Sequence, residues 1–243
     1  MVFSLLEIQT SDKKLAVLVD PDKWSNVDQM SDLVSAINSS NVDLVLVGGS
    51  FMANDLFENT IAFLKRKTAA PVIIFPGNGM QISSQADGIL LLSLISGRNS
   101  EFLIGQHVVA APAIARSGIS VLPTGYLLIE GGKSTAASYM SNTCPIPKDQ
   151  VAIITATALA GEQLGMRAIY LDCGSGANNS LSIEIIETVS ERIKIPLIVG
   201  GGIRSIEEAQ EKWSAGANVV VIGTAIEKNL SLLEDFAKIN EGL

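Results

Sequence analysis

Short β-branched runs alternate with amphipathic or apolar segments of helical length along the chain. The runs lie at 15–20, 43–47, 71–75, 88–93, 119–122 (resuming at 127–130), 167–171, 196–199 and 218–222. Most are apolar on both faces, the signature of strands in a parallel sheet covered by helices. Eight βα repeats without a polar linker predict a single (β/α)8 TIM barrel over 1–243. A site on such a barrel belongs at the C-terminal ends of its strands.

One repeat breaks the pattern. Only about ten residues separate the third and fourth runs, and they include Gly79 and Gly88. That is short for a crossover helix, so the third βα unit is expected to be degenerate. The gap it leaves at the barrel wall could admit a long ligand, with Phe51, Phe75, Ile95 and Tyr126 lining it. Two helices, 100–117 and 148–165, are apolar nearly all round where an outer barrel helix should show water a polar face. They predict a homo-oligomer.

Composition narrows the function. Seventeen Lys and Arg against 25 Asp and Glu give a net charge of −8. An acidic chain without a basic block is a poor nucleic-acid binder. An anionic substrate must be held by backbone dipoles, a few cations or a metal. The two cysteines, Cys144 and Cys173, are too few for a disulfide scaffold or zinc cluster. The start, MVFSLLEIQTSDKK, lacks the basic and apolar regions of a leader, and no apolar run is long enough to span a bilayer. A cytoplasmic protein is expected, although the mean hydropathy of +0.36 is high for one.

Chemistry concentrates at the strand ends. The sixth run leads into YLDCGSGA, Tyr170 to Ala177, with Asp172 at the strand terminus and Gly174, Ser175 and Gly176 in the turn. The seventh ends in VGGGIRS, carrying Gly200, Gly201 and Gly202, and the eighth in VIGTA, carrying Gly223 and Thr224. One glycine turn can be only a tight turn. Three on successive strands, beside one carboxylate, predict a phosphate cradle built from backbone N–H groups with a proton acceptor next to it. The first run ends in VDPDK, where Asp20 is either a turn residue or an oxygen ligand for a hard cation such as Mg2+. The second ends in VGGS, where Ser50 could reach a ligand. Arg98, Tyr126, Glu130 and Lys133 are further candidates for the barrel top, and Arg98 alone reads better as a helix-start residue. The only histidine, His107, falls inside an apolar helix and reads as a surface or interface residue, so a Ser–His triad is not expected. Cys173 has no partner base and reads as structural.

In the order VDPDK, VGGS, SLISGRN, PTGYLLIEGGK, YLDCGSGA, VGGGIRS and VIGTA, the chain resembles the geranylgeranylglyceryl phosphate synthase family, which includes bacterial heptaprenylglyceryl phosphate synthases. PTGYLLIEGGK with YLDCGSGA is similar to the archaeal-type branch. The resemblance implies transfer of a polyprenyl group, geranylgeranyl above all, from its diphosphate to the sn-3 hydroxyl of sn-glycerol 1-phosphate, with Mg2+ as cofactor. It implies that Asp20 and Ser50 contact the metal. It implies that Tyr170, Leu171, Asp172, Cys173, Gly174, Ser175, Gly176, Gly201, Gly202, Gly223 and Thr224 hold glycerol phosphate, with Asp172 taking the hydroxyl proton. Many members carry Glu at the base position; the shorter Asp172 requires the glycerol to sit about 1 Å closer or to shift. An isomerase or aldolase of sugar phosphates would share the cradle but needs a second acid or a Schiff-base lysine, and no strand contains such a lysine. A non-catalytic metabolite-binding barrel is the other reading.

Overall fold

The computed structural model describes residues 8–239. The reading of the start for a leader and the ends of the 1–243 domain fall on residues 1–7 and 240–243, outside the described residues. Eight parallel strands close into a barrel in sequence order. They are β1 (Lys14–Val19), β2 (Leu44–Val47), β3 (Val72–Ile74), β4 (Gly88–Leu94), β5 (Ser120–Leu128), β6 (Ala168–Asp172), β7 (Leu197–Gly200) and β8 (Val219–Ile222), and β8 pairs with β1. The helices are α1 (Ser31–Ser39), α2 (Phe57–Lys67), α3 (Gln106–Ser117), α4 (Ala136–Met140), α5 (Val151–Gln163), α6 (Ile183–Ser190), α7 (Ile206–Ser214), α8 (Thr224–Lys228) and α9 (Ser231–Ile239). None of the described helices is long and apolar enough to cross a membrane.

Side-chain alternation along the strands makes two cores. Ala16, Leu46, Ile73, Leu90, Leu122, Ile198 and Val221 fill the barrel interior. Val17, Val45, Ile74, Leu127, Leu171, Val199 and Val220 point outward against the helices. Polar caps start the helices where the sequence supplies them. The side chains of Ser182 and Ser205 accept N–H bonds at α6 and α7, and Thr135 with Ser138 forms a capping box at α4.

The third unit is degenerate: no helix lies between β3 and β4. Two expected boundaries change. The fifth strand is continuous rather than split at 123–126. Pro123 is tolerated because β6 begins only at Ala168, opposite Thr124, so no strand acceptor faces the missing N–H. The helix expected over 100–117 opens with a π-helical turn, Glu101–Gly105, before α3, and Pro112 lies inside α3.

Candidate active site

At the end of β6 the pleat sends Tyr170 and Asp172 to one side and Leu171 and Cys173 to the other. Tyr170 and Asp172 join Ser175, Gly176, Gly201, Gly202, Gly223 and Thr224 in lining one pocket. Leu171 and Cys173 belong to the outer core and contribute no side chain to its wall. Cys173 is buried, and burial pushes its thiol up to about 12, so it is inert.

The turns require glycine. Gly174, Gly176, Gly201 and Gly202 all have positive φ. A Cβ on Gly201 would lie 2.5 Å from Asp172 Oδ1 and 2.8 Å from the backbone nitrogens of Cys173 and Gly174. The β6 and β7 turns therefore approach more closely than any side chain allows. The Gly174 N–H donates to Asp172 Oδ1 at 2.7 Å, so it supports the carboxylate. The hydroxyls of Ser175 and Thr224, 3.2 Å apart, bridge the β6 and β8 turns.

Two cations line this pocket that strand-end reasoning missed, Arg204 and Lys228. Arg204 Nη2 donates to the Ala177 carbonyl at 2.8 Å and ties the β7 loop to the β6 loop. The signal was present in VGGGIRS, where an arginine follows the glycines. Among the other top-of-barrel candidates, Arg98 and Glu130 are exposed. Lys133 reaches the Gly176 turn, its Nζ 3.5 Å from where a Cβ would sit.

Asp172 is only 7% exposed. Burial pushes its carboxyl up, and bonds from the Tyr126 hydroxyl and the Gly174 N–H pull it partly back. Phe75, Tyr126 and Tyr170 form an aromatic group beside it, with ring centroids 5.3 to 6.1 Å apart.

On the other side of this group runs an apolar groove of about 850 Å³, its open mouth included. Gly49, Ser50, Phe75, Tyr126 and Leu128 line its upper end; Ile82, Leu91, Phe102, Ala110 and Ile114 line the rest. It occupies the place a third crossover helix would fill. Phe75 and Tyr126 line it as expected. Ile95 does not: its Cδ1 packs behind Gly125 and Gly161, between β5 and α5. Phe51 is 56% exposed and outside the groove wall. His107 is not a surface residue. It lines the groove, half-buried, with Nδ1 unpartnered, and burial lowers its pKa despite a bond to the Leu92 carbonyl. An all-apolar helix does not reveal which face turns inward.

Asp20 and Ser50 end neighbouring strands. Asp22 joins their loops: its carboxylate accepts the N–H groups of Ala53 at 2.6 Å and Asn54 at 3.1 Å. Asp20 thereby lies against the turn carrying Ser50, with Oδ1 3.1 Å from where a Gly49 Cβ would sit. Burial pushes up the carboxyls of Asp20 and of Glu227, which senses the Asp20 charge. Glu227 comes from α8 and was not legible as a site residue. No cluster of three or more His, Cys, Asp or Glu poised for a metal occurs among the described residues. Mg2+ does not need one. It is commonly held by one or two carboxylates plus substrate phosphates, and a half-buried Asp20 beside a serine loop fits that donor set.

Comparison with known proteins agrees with this fold. The PcrB family model matches residues 8–241. A geranylgeranylglyceryl phosphate synthase of Spirosoma linguale is 47% identical over 227 residues, covering 93% of this chain and 91% of that one. One from Korarchaeum cryptofilum is 40% identical over 229 residues, covering 94% and 93%. The crystal structure of (S)-3-O-geranylgeranylglyceryl phosphate synthase from Thermoplasma acidophilum, in complex with sn-glycerol-1-phosphate, superposes with a TM-score of 0.90 at 30% identity, covering 99% and 98%. With the barrel, the ordered strand-end motifs and a family match spanning nearly its whole length, this chain belongs to the PcrB family.

Proposed function

We propose that this chain transfers a polyprenyl group from its diphosphate to the sn-3 hydroxyl of sn-glycerol 1-phosphate, making the first ether bond of archaeal-type lipids and releasing diphosphate. The observation that carries the reading is the place of Asp172, in a glycine-rich polar pocket and bonded to an aromatic residue that walls an apolar groove. Glycerol phosphate fits the first space and a prenyl tail the second.

The glycine turns of β6, β7 and β8 bind the phosphate, with Arg204 and Lys228 adding charge. Asp172 accepts the proton of the hydroxyl as its oxygen attacks the allylic carbon. The groove excludes water from the developing positive charge, and the faces of Phe75, Tyr126 and Tyr170 suit such a charge. Asp20 and Ser50 would hold Mg2+. When bound, that ion neutralises the charge gathering on the leaving diphosphate. The same reading makes the chain a cytoplasmic homo-oligomer.

The test supplies purified protein with labelled sn-glycerol 1-phosphate, Mg2+ and geranylgeranyl diphosphate. Label is expected in the organic phase, but not with the 3-phosphate enantiomer or with excess chelator. No transfer at any prenyl length by folded protein would sink the reading. Transfer that survives the chelator would remove the metal from it.

A further inference from the structure

Asp172 is the base in the reading above, yet the pocket buries it, and a buried carboxylate tends to take up a proton and lose its basicity. Something must keep it ionised and aimed. Its Oδ1 accepts the Gly174 N–H at 2.7 Å, and its Oδ2 accepts the Tyr126 hydroxyl at 2.6 Å. A carboxylate offers about four lone-pair directions. Two donors fixed on two elements therefore set its orientation and leave the remaining directions toward the glycerol pocket.

Tyr126 is suited to this in three respects. It lies within β5, paired to Tyr170 on β6, so the sheet fixes its position. It is 8% exposed, packed by Phe75 and Tyr170. Burial and the Asp172 charge hold its phenol well above the ordinary value, so it remains a donor across the working range. Its ring also walls the apolar groove, while its hydroxyl bonds Asp172, which lines the other pocket.

We propose that Tyr126 is a positioning residue for the transfer: its hydroxyl holds Asp172 aimed at the glycerol hydroxyl, and its ring shares a wall with the prenyl tail. This rests on the prenyl-transfer reading. The other titratable groups around Asp172 are Tyr170 on β6 and Cys173 just after it, both buried, and Arg204 and Lys228, which line the same pocket. From β7 the nearest approach is Gly201, which has no side chain. Among the described residues, Tyr126 is thus the one side-chain donor bonded to the charged base.

The test is the pH profile of kcat/KM in wild type and Tyr126→Phe, which keeps the ring and removes only the donor. Loss of the bond makes Asp172 easier to protonate, so the acid limb should move to higher pH. At neutral pH kcat should fall about tenfold, with the KM for glycerol phosphate little changed and part of the rate recovered at higher pH. Ionisation of the substrate phosphate acts on both profiles alike. A second variant tests the sign. 3-Fluorotyrosine at position 126 is a stronger donor and should move the acid limb to lower pH. Wild-type transfer with an unmoved acid limb in both variants would overturn the role of Tyr126 alone. No transfer by the wild type would overturn the prenyl-transfer reading and this role with it.

Discussion

Asp172 is a residue whose use and whose cost to the fold come from the same burial. Its carboxyl is raised above the ordinary aspartate value of 3.8. A carboxylate raised in the folded state favours folding most at low pH. That contribution is lost as pH climbs from the unfolded pKa through the folded one. Asp172→Asn keeps the shape and removes the charge, and the amide can still meet Tyr126 and Gly174 by reversing one hydrogen bond. Two outcomes are expected. Turnover should drop about 100-fold or more, because the proton acceptor is gone. Urea unfolding at neutral pH should give a variant at least as stable as wild type, with the difference shrinking on acidification. Full activity would remove Asp172 from its role, and a variant much less stable at neutral pH would mean that the charge helps the fold. Tight glycine turns around a strand-end acid could be read from YLDCGSGA because they are local. The Tyr126 bond could not, since it joins residues 46 positions apart.

The informative element is the one that is absent. Without a third helix, α3 lies over the gap, and its Gln106 Oε1 accepts the Gly79 N–H at 2.8 Å, closing the β3–β4 loop over the groove. Gly79 allows this, since a Cβ there would lie 2.9 Å from that oxygen. The short spacing between runs made the gap legible. The inward face of α3 was not, because amphipathicity carries no signal in a helix apolar all round, so the place of His107 could not be read; Ile95 follows β4, and its direction depends on the space left by Gly125 and Gly161, far away in sequence. Strand β5 was split for a related reason, since tolerance of Pro123 depends on where β6 begins. If the groove holds the tail, narrowing it should act as a length filter. Ala110→Phe puts a ring into the lining. The kcat/KM for geranylgeranyl diphosphate should fall about tenfold or more relative to geranyl diphosphate, with glycerol phosphate affinity unchanged. Equal effects on both tails would place the prenyl chain elsewhere.

At the scale of the whole molecule, two helical regions expose apolar side chains, apart from Phe51, Met80, Tyr139 and Met140, which are exposed elsewhere. Ile104, in the turn before α3, and Val108 and Val109 on α3 are 60%, 66% and 72% exposed; Ile153 on α5 is 45% and Leu164 at its end 77%. These are the two segments that the sequence marked as lacking a polar face. Scattered exposed apolar residues are ordinary, but several on one helix mark an interaction surface. The chain's net charge of −8 opposes casual association. Self-assembly must therefore gain enough from buried apolar area, about 800 Å² per partner in a standard interface, to outweigh that repulsion. The repulsion is screened by salt and the apolar gain is not. Sedimentation velocity should accordingly give a species larger than one chain, more stable at high ionic strength than at low. Replacing Val108 and Val109 with Glu adds two charges to the face without touching the barrel. It should shift the protein to a smaller species at unchanged secondary structure. Val108 and Val109 line neither pocket, so the smaller species should keep most of its turnover. A wild type that sediments as a single chain at micromolar concentration, at both salt levels, would show that α3 and α5 do not serve self-association.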